Sequence, residues 1–573
     1  MEANGWTANE RLDFYFSRQG SQLVPYSWFL SLEKADSEEL FSGDAHIRKL
    51  GFIPHERHPV RNPDGLPIGF VLDSSAPPVE VKKGFLGPDY SMDHYPTGDW
   101  LGLTCAACHT SELTFKGETY RIDGGAAMAD VESLLSELAR ALRATAEDDN
   151  KYGRFEQRIR QAAAGDIDTT GLREELTAYT PVMEKLVARN KATHPYGLGR
   201  LDAFGAILNQ ICEASLGIPE NHREANAPVS YPFLWDTPML DWVQWNSSVE
   251  KPIFRNVGEV LGVFAHAQLT GKPESGQFES SARLNYLHRL ELQMRRLQSP
   301  KWPSPLGEID ITKAARGREL FAQNCAQCHN MRDDQGQFEM TSPNSLGHTF
   351  IRTTAVPFQK IGTDQQMIVN FITRTAKPGD LAGVLALDSN ETKAKLSAFQ
   401  DTVSKFGLPP LEIEGKVPAA MLLGAAVSGV IERDLAGELR NRSEAEKREI
   451  REDLEGHRDG GFPPLLGAGY KARPLNGVWA TAPYGHAGAV PNLYQWLLPE
   501  EKRADNFFVG SREFDPIHVG FSTEPHGDAF HFRTHDDQGN PIPGNSNRGH
   551  SGPGKTDFSD EQRWQIIEYL KSQ

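Results

Sequence analysis

Apolar positions along this chain recur mostly at helical spacing. From Ala126 to Thr145 apolar and polar residues alternate with a helical period, which predicts an amphipathic helix over 126–145. The longest uncharged apolar run, Val417 to Ile431, is broken by Pro418, Gly424, Ser428 and Gly429. It is too short and too interrupted to span a bilayer, and reads as a core helix. The highly charged stretch that follows, Glu432 to His457, fits a solvated helix rather than a binding surface. Ala314 to Asn324 sets Gly317 and Phe321 at helical spacing directly before Cys325. Residues 1–95 instead mix aromatics with Pro and Gly turns, at Asn62-Pro63-Asp64-Gly65 and Leu86-Gly87-Pro88-Asp89, and read as a loop-rich extension. Ser299-Pro300-Lys301-Trp302-Pro303-Ser304-Pro305 reads as a linker. The pattern thus divides a mainly α chain into an extension (1–95), a first domain (96–300) and a second (301–573).

At 573 residues the chain has room for two to four domains with ample core. A net charge of −17 argues against nucleic acid and against anionic membrane surfaces, and an acidic face can steer toward a basic redox partner. The opening Met1-Glu2-Ala3-Asn4-Gly5 has neither a basic start nor an apolar stretch, so an exported protein would be in its mature form here.

The five cysteines change the picture most. Cys105-Ala106-Ala107-Cys108-His109 and Cys325-Ala326-Gln327-Cys328-His329 are both C-x-x-C-H, while Cys212 stands alone and reads as a buried thiol on a helix. The spacing has a chemical reason. Two thiols add across the two vinyl groups of one porphyrin, and the adjacent histidine is then held under the iron as proximal ligand. At this chain's Cys and His frequencies, roughly 0.001 chance matches are expected. A redox-active C-x-x-C has no need of the immediate histidine and should follow a strand. One zinc site would have to join two distant pairs. The expectation is therefore two covalently bound haem c groups, in a protein of an oxidising, periplasmic or secreted setting. Trp100-Leu101-Gly102-Leu103-Thr104 would pack on the first porphyrin, and Ala314–Asn324 resembles the opening helix of a cytochrome c domain.

Together with these motifs, Leu475-Asn476-Gly477-Val478-Trp479-Ala480-Thr481-Ala482-Pro483-Tyr484-Gly485-His486-Ala487-Gly488-Ala489-Val490 resembles the segment LRNV-x-TAPY-x-H-x-G-x-V of the bacterial di-haem cytochrome c peroxidase superfamily. The resemblance covers most of residues 95–573. That superfamily also holds the maturase that builds tryptophan tryptophylquinone in methylamine dehydrogenase, and the di-haem rubber oxygenases. The long extension, the insertion between the haem motifs and Gly544-Asn545-Ser546-Asn547-Arg548-Gly549-His550 look closest to the rubber-oxygenase branch. The implied fold is mainly α, with two cytochrome-c-like haem domains, the loop-rich extension and insertions.

The resemblance implies roles for particular residues. In the peroxidase branch the pocket of the first haem uses a Trp lying between the haems, then a Gln, then a Glu. Trp235, Gln244 and Glu259 stand here in that order, with Trp242 and Trp245 as rivals for the bridging Trp and a helix-N-terminal charge as the plain alternative for Glu259. A Glu there can take and return the proton that peroxide cleavage moves. The rubber oxygenases carry apolar groups instead and bind dioxygen. No His lies between His109 and His194, which implies an open first haem, Met128 being better read as core. Where the peroxidases place a Met for the second haem, Leu497-Leu498-Pro499-Glu500-Glu501 has none, which points to His550 ahead of His486, His518, His526, His531 and His535. The family also brings a bridging Ca²⁺ near the Thr481 and Pro483 carbonyls. The leading expectation is an oxidoreductase that reacts with hydrogen peroxide at the His109 haem, fed through the His329 haem by a small redox protein. The rivals are a dioxygenase of an apolar polymer such as polyisoprene, a plain di-haem electron carrier and a protein-modifying maturase.

Overall fold

A computed structural model describes residues 4–74, 98–162, 168–551 and 557–573. Its strand content begins with a three-stranded antiparallel sheet in which Trp100–Leu103 lies between Val24–Pro25 and Phe70–Asp73. All four central residues are buried, as an apolar strand covered on both faces requires. Two of the three strands come from the N-terminal extension, which is therefore built around the strand that leads into Cys105. The turn at Asn62–Gly65 is closed by the Asn62 side chain, which accepts from Leu66 N at 2.7 Å. Leu86–Asp89 lies outside the described residues.

The amphipathic segment forms helix Val131–Glu147 rather than starting at Ala126. Residues before it are bound elsewhere: Ala127 N donates to Cys108 O at 3.1 Å and Asp130 N to Leu50 O at 2.9 Å. Asp130 then caps the helix by accepting from Ser133 N at 2.8 Å. Helix Pro252–Gly262 opens with Pro252 at its first position, where the missing N–H costs nothing. It packs on Ala419–Leu439, the core helix read from the apolar run. That helix continues past Ile431 to Leu439, and the charged stretch resumes as a separate helix, Glu444–Leu454, with a capping box at Ser443. The 432–457 stretch is therefore the end of one helix and the whole of another. Cys212 is fully buried, within a single π turn, Gln210–Ser215.

Helix Ile311–Asn324, capped by Asp310, crosses the C-terminal helix Asp560–Lys571 in the most extensive helix pairing among the described residues. Gly317 marks the closest approach: a Cβ there would lie 1.9 Å from Gln565 O. Phe321 meets Tyr569 one turn on, with ring centroids 5.2 Å apart. The 299–305 stretch is packed rather than free, since Pro300 O accepts from Trp479 Nε1 at 3.0 Å. One apolar core runs from Trp6 through Trp100, Trp235 and Trp479 to Leu570, so extension, first segment and second segment share it. With 42% helix, 13% strand and no barrel among the described residues, the fold is mainly α.

Candidate functional site

The two C-x-x-C-H motifs adopt the same local turn. His109 N donates to Cys105 O, and His329 N to Cys325 O, each at 2.9 Å. The first follows directly on strand Trp100–Leu103, and Thr104 caps its 3₁₀ turn by accepting from Ala106 N at 3.2 Å. A position after a strand is what a redox dithiol would take, but its chemistry is opposite. Burial pushes both the Cys105 and Cys108 thiols up to about 12, whereas a reactive dithiol needs a lowered value. None of the five cysteines is in a disulfide.

Both histidines are half-buried and held by the same device. His109 Nδ1 lies 2.8 Å from Pro232 O, and His329 Nδ1 lies 2.8 Å from Arg473 O. A carbonyl only accepts, so Nδ1 carries the proton in each ring and Nε2 is left as the free lone pair, the tautomer that a metal-ligating imidazole uses. Burial pushes His109 down to about 4, against the Pro232 bond, and lowers His329 likewise, which keeps both rings neutral. Among the described residues no three His, Cys, Asp or Glu side chains converge on one metal ion, so the two motifs do not form a joint zinc site.

Cys105, Cys108 and His109 open onto a cavity of about 510 Å³. Leu103 and Thr104 line it, while Trp100 turns away into the core against Tyr179. Gln244 and Glu259 line the same cavity and meet: Gln244 Nε2 donates to Glu259 Oε1 at 3.0 Å. Gln244 has φ +67°, a conformation that costs a non-glycine residue about 1–3 kcal/mol and that aims its amide at the carboxylate. Glu259 lies in the last turn of Pro252–Gly262, so it is not a helix-N-terminal charge. There the helix dipole opposes a carboxylate. Burial raises Glu259 above its ordinary value, with Arg255 and the Gln244 amide opposing. Trp242 and Trp245 line the same cavity. Met128 does not, and packs instead with Ala487, Phe507 and Phe532.

Trp235 is on the other side, behind His109. It is fully buried, stacks on Phe233 at 4.4 Å and donates from Nε1 to Asn476 O at 2.8 Å. Pro232 is the carbonyl partner of His109 and Arg473 that of His329, and Arg473 Nη2 donates to Trp235 O at 2.6 Å, so Trp235 lies in the stretch between the two motifs, whereas Trp242 and Trp245 line the cavity.

The second motif faces His550. The His329 and His550 rings are near-parallel, 24° apart, with centroids separated by 6.3 Å. An ion bound to both by metal–nitrogen bonds of about 2.0 Å would hold the centroids about 6 Å apart, so the donor set fits a bis-histidine iron. Burial pushes the Cys325 thiol up to about 11. His550 has φ +57°, donates from its backbone N to Ile361 O at 3.0 Å and abuts the Trp496 ring. The rivals face other ways: His486 stacks on Tyr470 at 4.0 Å, His518 pairs with Asp515, and His526, His531 and His535 are exposed. Thr481 and Pro483 lie in the turn before Tyr484, around the cis Ala482–Pro483 bond.

The residues sequence reasoning missed, Pro232 and Arg473, act on the histidines through backbone carbonyls. A backbone group leaves no residue-type signal. Arg473 stands two positions before Leu475, at the edge of the quoted motif.

No helix among the described residues is long and apolar enough to cross a membrane. Residues 469–508 match the family model for a RoxA-like, cytochrome c-like domain. That segment holds the carbonyl that orients His329, the acceptor for Trp235 and the Trp496 ring beside His550. Over its whole length the chain is 30% identical to uncharacterized protein y4iJ of Sinorhizobium fredii, covering 92% of that protein. It is 25% identical to uncharacterized protein y4iM of the same organism over 51% of this chain and 49% of that one.

Proposed function

The chain belongs to the family of the Sinorhizobium fredii protein y4iJ, and we propose that it is an extracytoplasmic di-haem c oxidoreductase that reacts with hydrogen peroxide beside His109. One haem is held by Cys105, Cys108 and His109, the other by Cys325, Cys328, His329 and His550. When bound, the group held at His109 would supply redox chemistry toward peroxide, and the group held by His329 and His550 would supply electron transfer. The observation that carries the reading is the Gln244–Glu259 hydrogen bond inside the His109 cavity. Glu259 takes a proton from peroxide and returns it to the departing oxygen, while the Gln244 amide holds the carboxylate in place. Electrons from a small redox protein enter on the His329 side and pass the Trp235 region. A RoxA-like cytochrome segment supports covalent haem and an oxidoreductase role.

A second reading has its own observation. A cavity of about 740 Å³ adjoins the His109 cavity, and Leu201, Ala206 and Gly262 wall both. Val131, Leu135, Ala139 and Phe264 give it apolar wall, beside charged side chains such as Arg140, Arg143, Glu184 and Lys191. That apolar wall suits an apolar chain and favours a dioxygenase acting on a polymer such as polyisoprene. EPR of the resting protein followed by peroxide titration tests the first reading, and incubation with latex under air followed by oligomer analysis tests the second. Two low-spin signals and no reaction with peroxide would leave a plain electron carrier.

A further inference from the structure

Pro232 and Phe233 are consecutive, and this links the two histidines. His109 Nδ1 donates to Pro232 O at 2.8 Å; the next carbonyl, Phe233 O, accepts from Arg473 Nη1 at 2.7 Å; and Arg473 O accepts from His329 Nδ1 at 2.8 Å. The second guanidinium nitrogen, Nη2, donates to Trp235 O at 2.6 Å. The guanidinium carbon lies 3.6 Å from the centroid of the Phe233 ring, which itself stacks on Trp235. One side chain therefore grips both ends of the Phe233–Trp235 stack while its own carbonyl orients the second histidine.

Arg473 is 5% exposed, and the acid acting on it is Asp236, whose carboxylate also accepts from Asn476 Nδ2 at 2.7 Å. Burial pushes the guanidinium down to about 9, so it stays protonated at neutral pH. A fixed positive charge between two redox centres favours the reduced state of each.

We infer that Arg473 couples the two haem histidines, as a hydrogen-bonded bridge for electron transfer and as a buried charge that raises both reduction potentials. The inference rests on the two-haem reading above. The step it serves moves one electron from ferrous iron at His329 to ferric iron at His109, with no net proton change.

The test separates bridge from charge. Arg473→Lys keeps the charge and loses the two-pronged grip, Arg473→Met loses both, and Asp236→Asn removes the acid while leaving the grip intact. Haem content per chain is measured first, then inter-haem equilibration after pulse-radiolytic reduction, then the potential of each haem by spectroelectrochemical titration. Equilibration should slow at least tenfold in Arg473→Lys and Arg473→Met. Both haems should become about tenfold harder to reduce at equilibrium in Arg473→Met, change less than threefold in Arg473→Lys, and become easier to reduce in Asp236→Asn. If Arg473→Met loses haem, the Lys and Asn variants decide. Two haems with wild-type equilibration and potentials in the Arg473 variants overturn the inference alone. Fewer than two haems in the unaltered protein overturns the two-haem reading, and is seen before any variant is made.

Discussion

Replacing Glu259 with Gln keeps the size and the hydrogen-bond acceptor for Gln244 but removes the proton carrier. Positioned acid–base groups contribute about 10²- to 10⁴-fold, or about 3 to 5 kcal/mol of barrier, so the peroxide reaction should slow by that factor with haem content and resting spectra unchanged. Gln244→Ala removes one hydrogen bond to a charged group, about 1.5–3 kcal/mol, and should cost less, about ten- to a hundredfold. The pH profile separates the roles. Glu259 works as a base only when ionised, and burial raises its pKa, so the rate should fall with added acid already above the ordinary carboxylate range. That acid limb should be missing in Glu259→Gln, and should move to higher pH in Gln244→Ala, because the amide lowers the Glu259 pKa. Linkage supplies a readout without turnover. A carboxyl whose folded pKa lies above its unfolded value imposes no cost below the unfolded pKa and destabilises as pH rises through the folded one. Glu259→Gln should therefore raise the urea midpoint at neutral pH, with the gain vanishing in acid. Stopped-flow mixing with peroxide across pH, beside urea titrations, measures all of this. A Glu259→Gln protein that reacts at the wild-type rate with an unchanged acid limb would refute the proton-shuttle reasoning.

His550→Ala should turn a low-spin EPR signal into a high-spin one and raise that haem's potential; an unchanged low-spin signal sends the assignment to another histidine. Cyanide or imidazole should bind one haem per chain, and equal binding to both would contradict an open side at His109 alone. Ala206→Phe, in the wall shared by the two cavities, should abolish cleavage of a long apolar substrate and leave peroxide turnover within a few-fold; equal loss of both would show that the adjoining cavity serves neither selectively. Gly317→Ala should lower the stability measured by urea titration by about 1–3 kcal/mol, since its Cβ would lie 1.9 Å from Gln565 O, and an unchanged stability would mean the helix pair shifts freely.

What was legible in the sequence follows from how each function is encoded. Covalent attachment of a porphyrin needs two thiols and an imidazole within five residues, so a candidate site at Cys105–His109 or Cys325–His329 stands out from spacing alone. Glu259 and Gln244 are 15 residues apart, and only a resemblance suggested that they meet. The pairing of His329 with His550 follows from elimination, because Leu497-Leu498-Pro499-Glu500-Glu501 has no methionine where the resemblance would place one. The carbonyls of Pro232 and Arg473 were out of reach, since any residue type can offer a carbonyl. The start of the 131–147 helix was missed because tertiary backbone bonds at Ala127 and Asp130 outcompete helical periodicity. The Glu432–His457 stretch was read as one helix because charge density hid the stop near Arg440 and the cap at Ser443.

The two histidines are prepared alike and used differently. Each has Nδ1 tied to a carbonyl and Nε2 free, so the proximal sides offer no distinction. The difference lies opposite. His329 faces a second imidazole at the spacing a shared ion would impose, which excludes substrate, whereas His109 faces space, an amide and a carboxylate. A closed centre exchanges electrons with little rearrangement, and an open one can bind an oxygen species but must then be supplied with protons and electrons. On the proposed reading, protons would come from the cavity side, where Glu259 stands. Electrons come most directly from the proximal side, where Pro232, Phe233 and Arg473 run from one histidine to the other. On the two-haem reading, the proton supply and the electron supply to the His109 site would then come from different sides, so that a change in the cavity wall need not disturb the link between the histidines. The RoxA-like match, residues 469–508, contains the Arg473 carbonyl that orients His329 and the Asn476 carbonyl that accepts from Trp235, both on the proximal side.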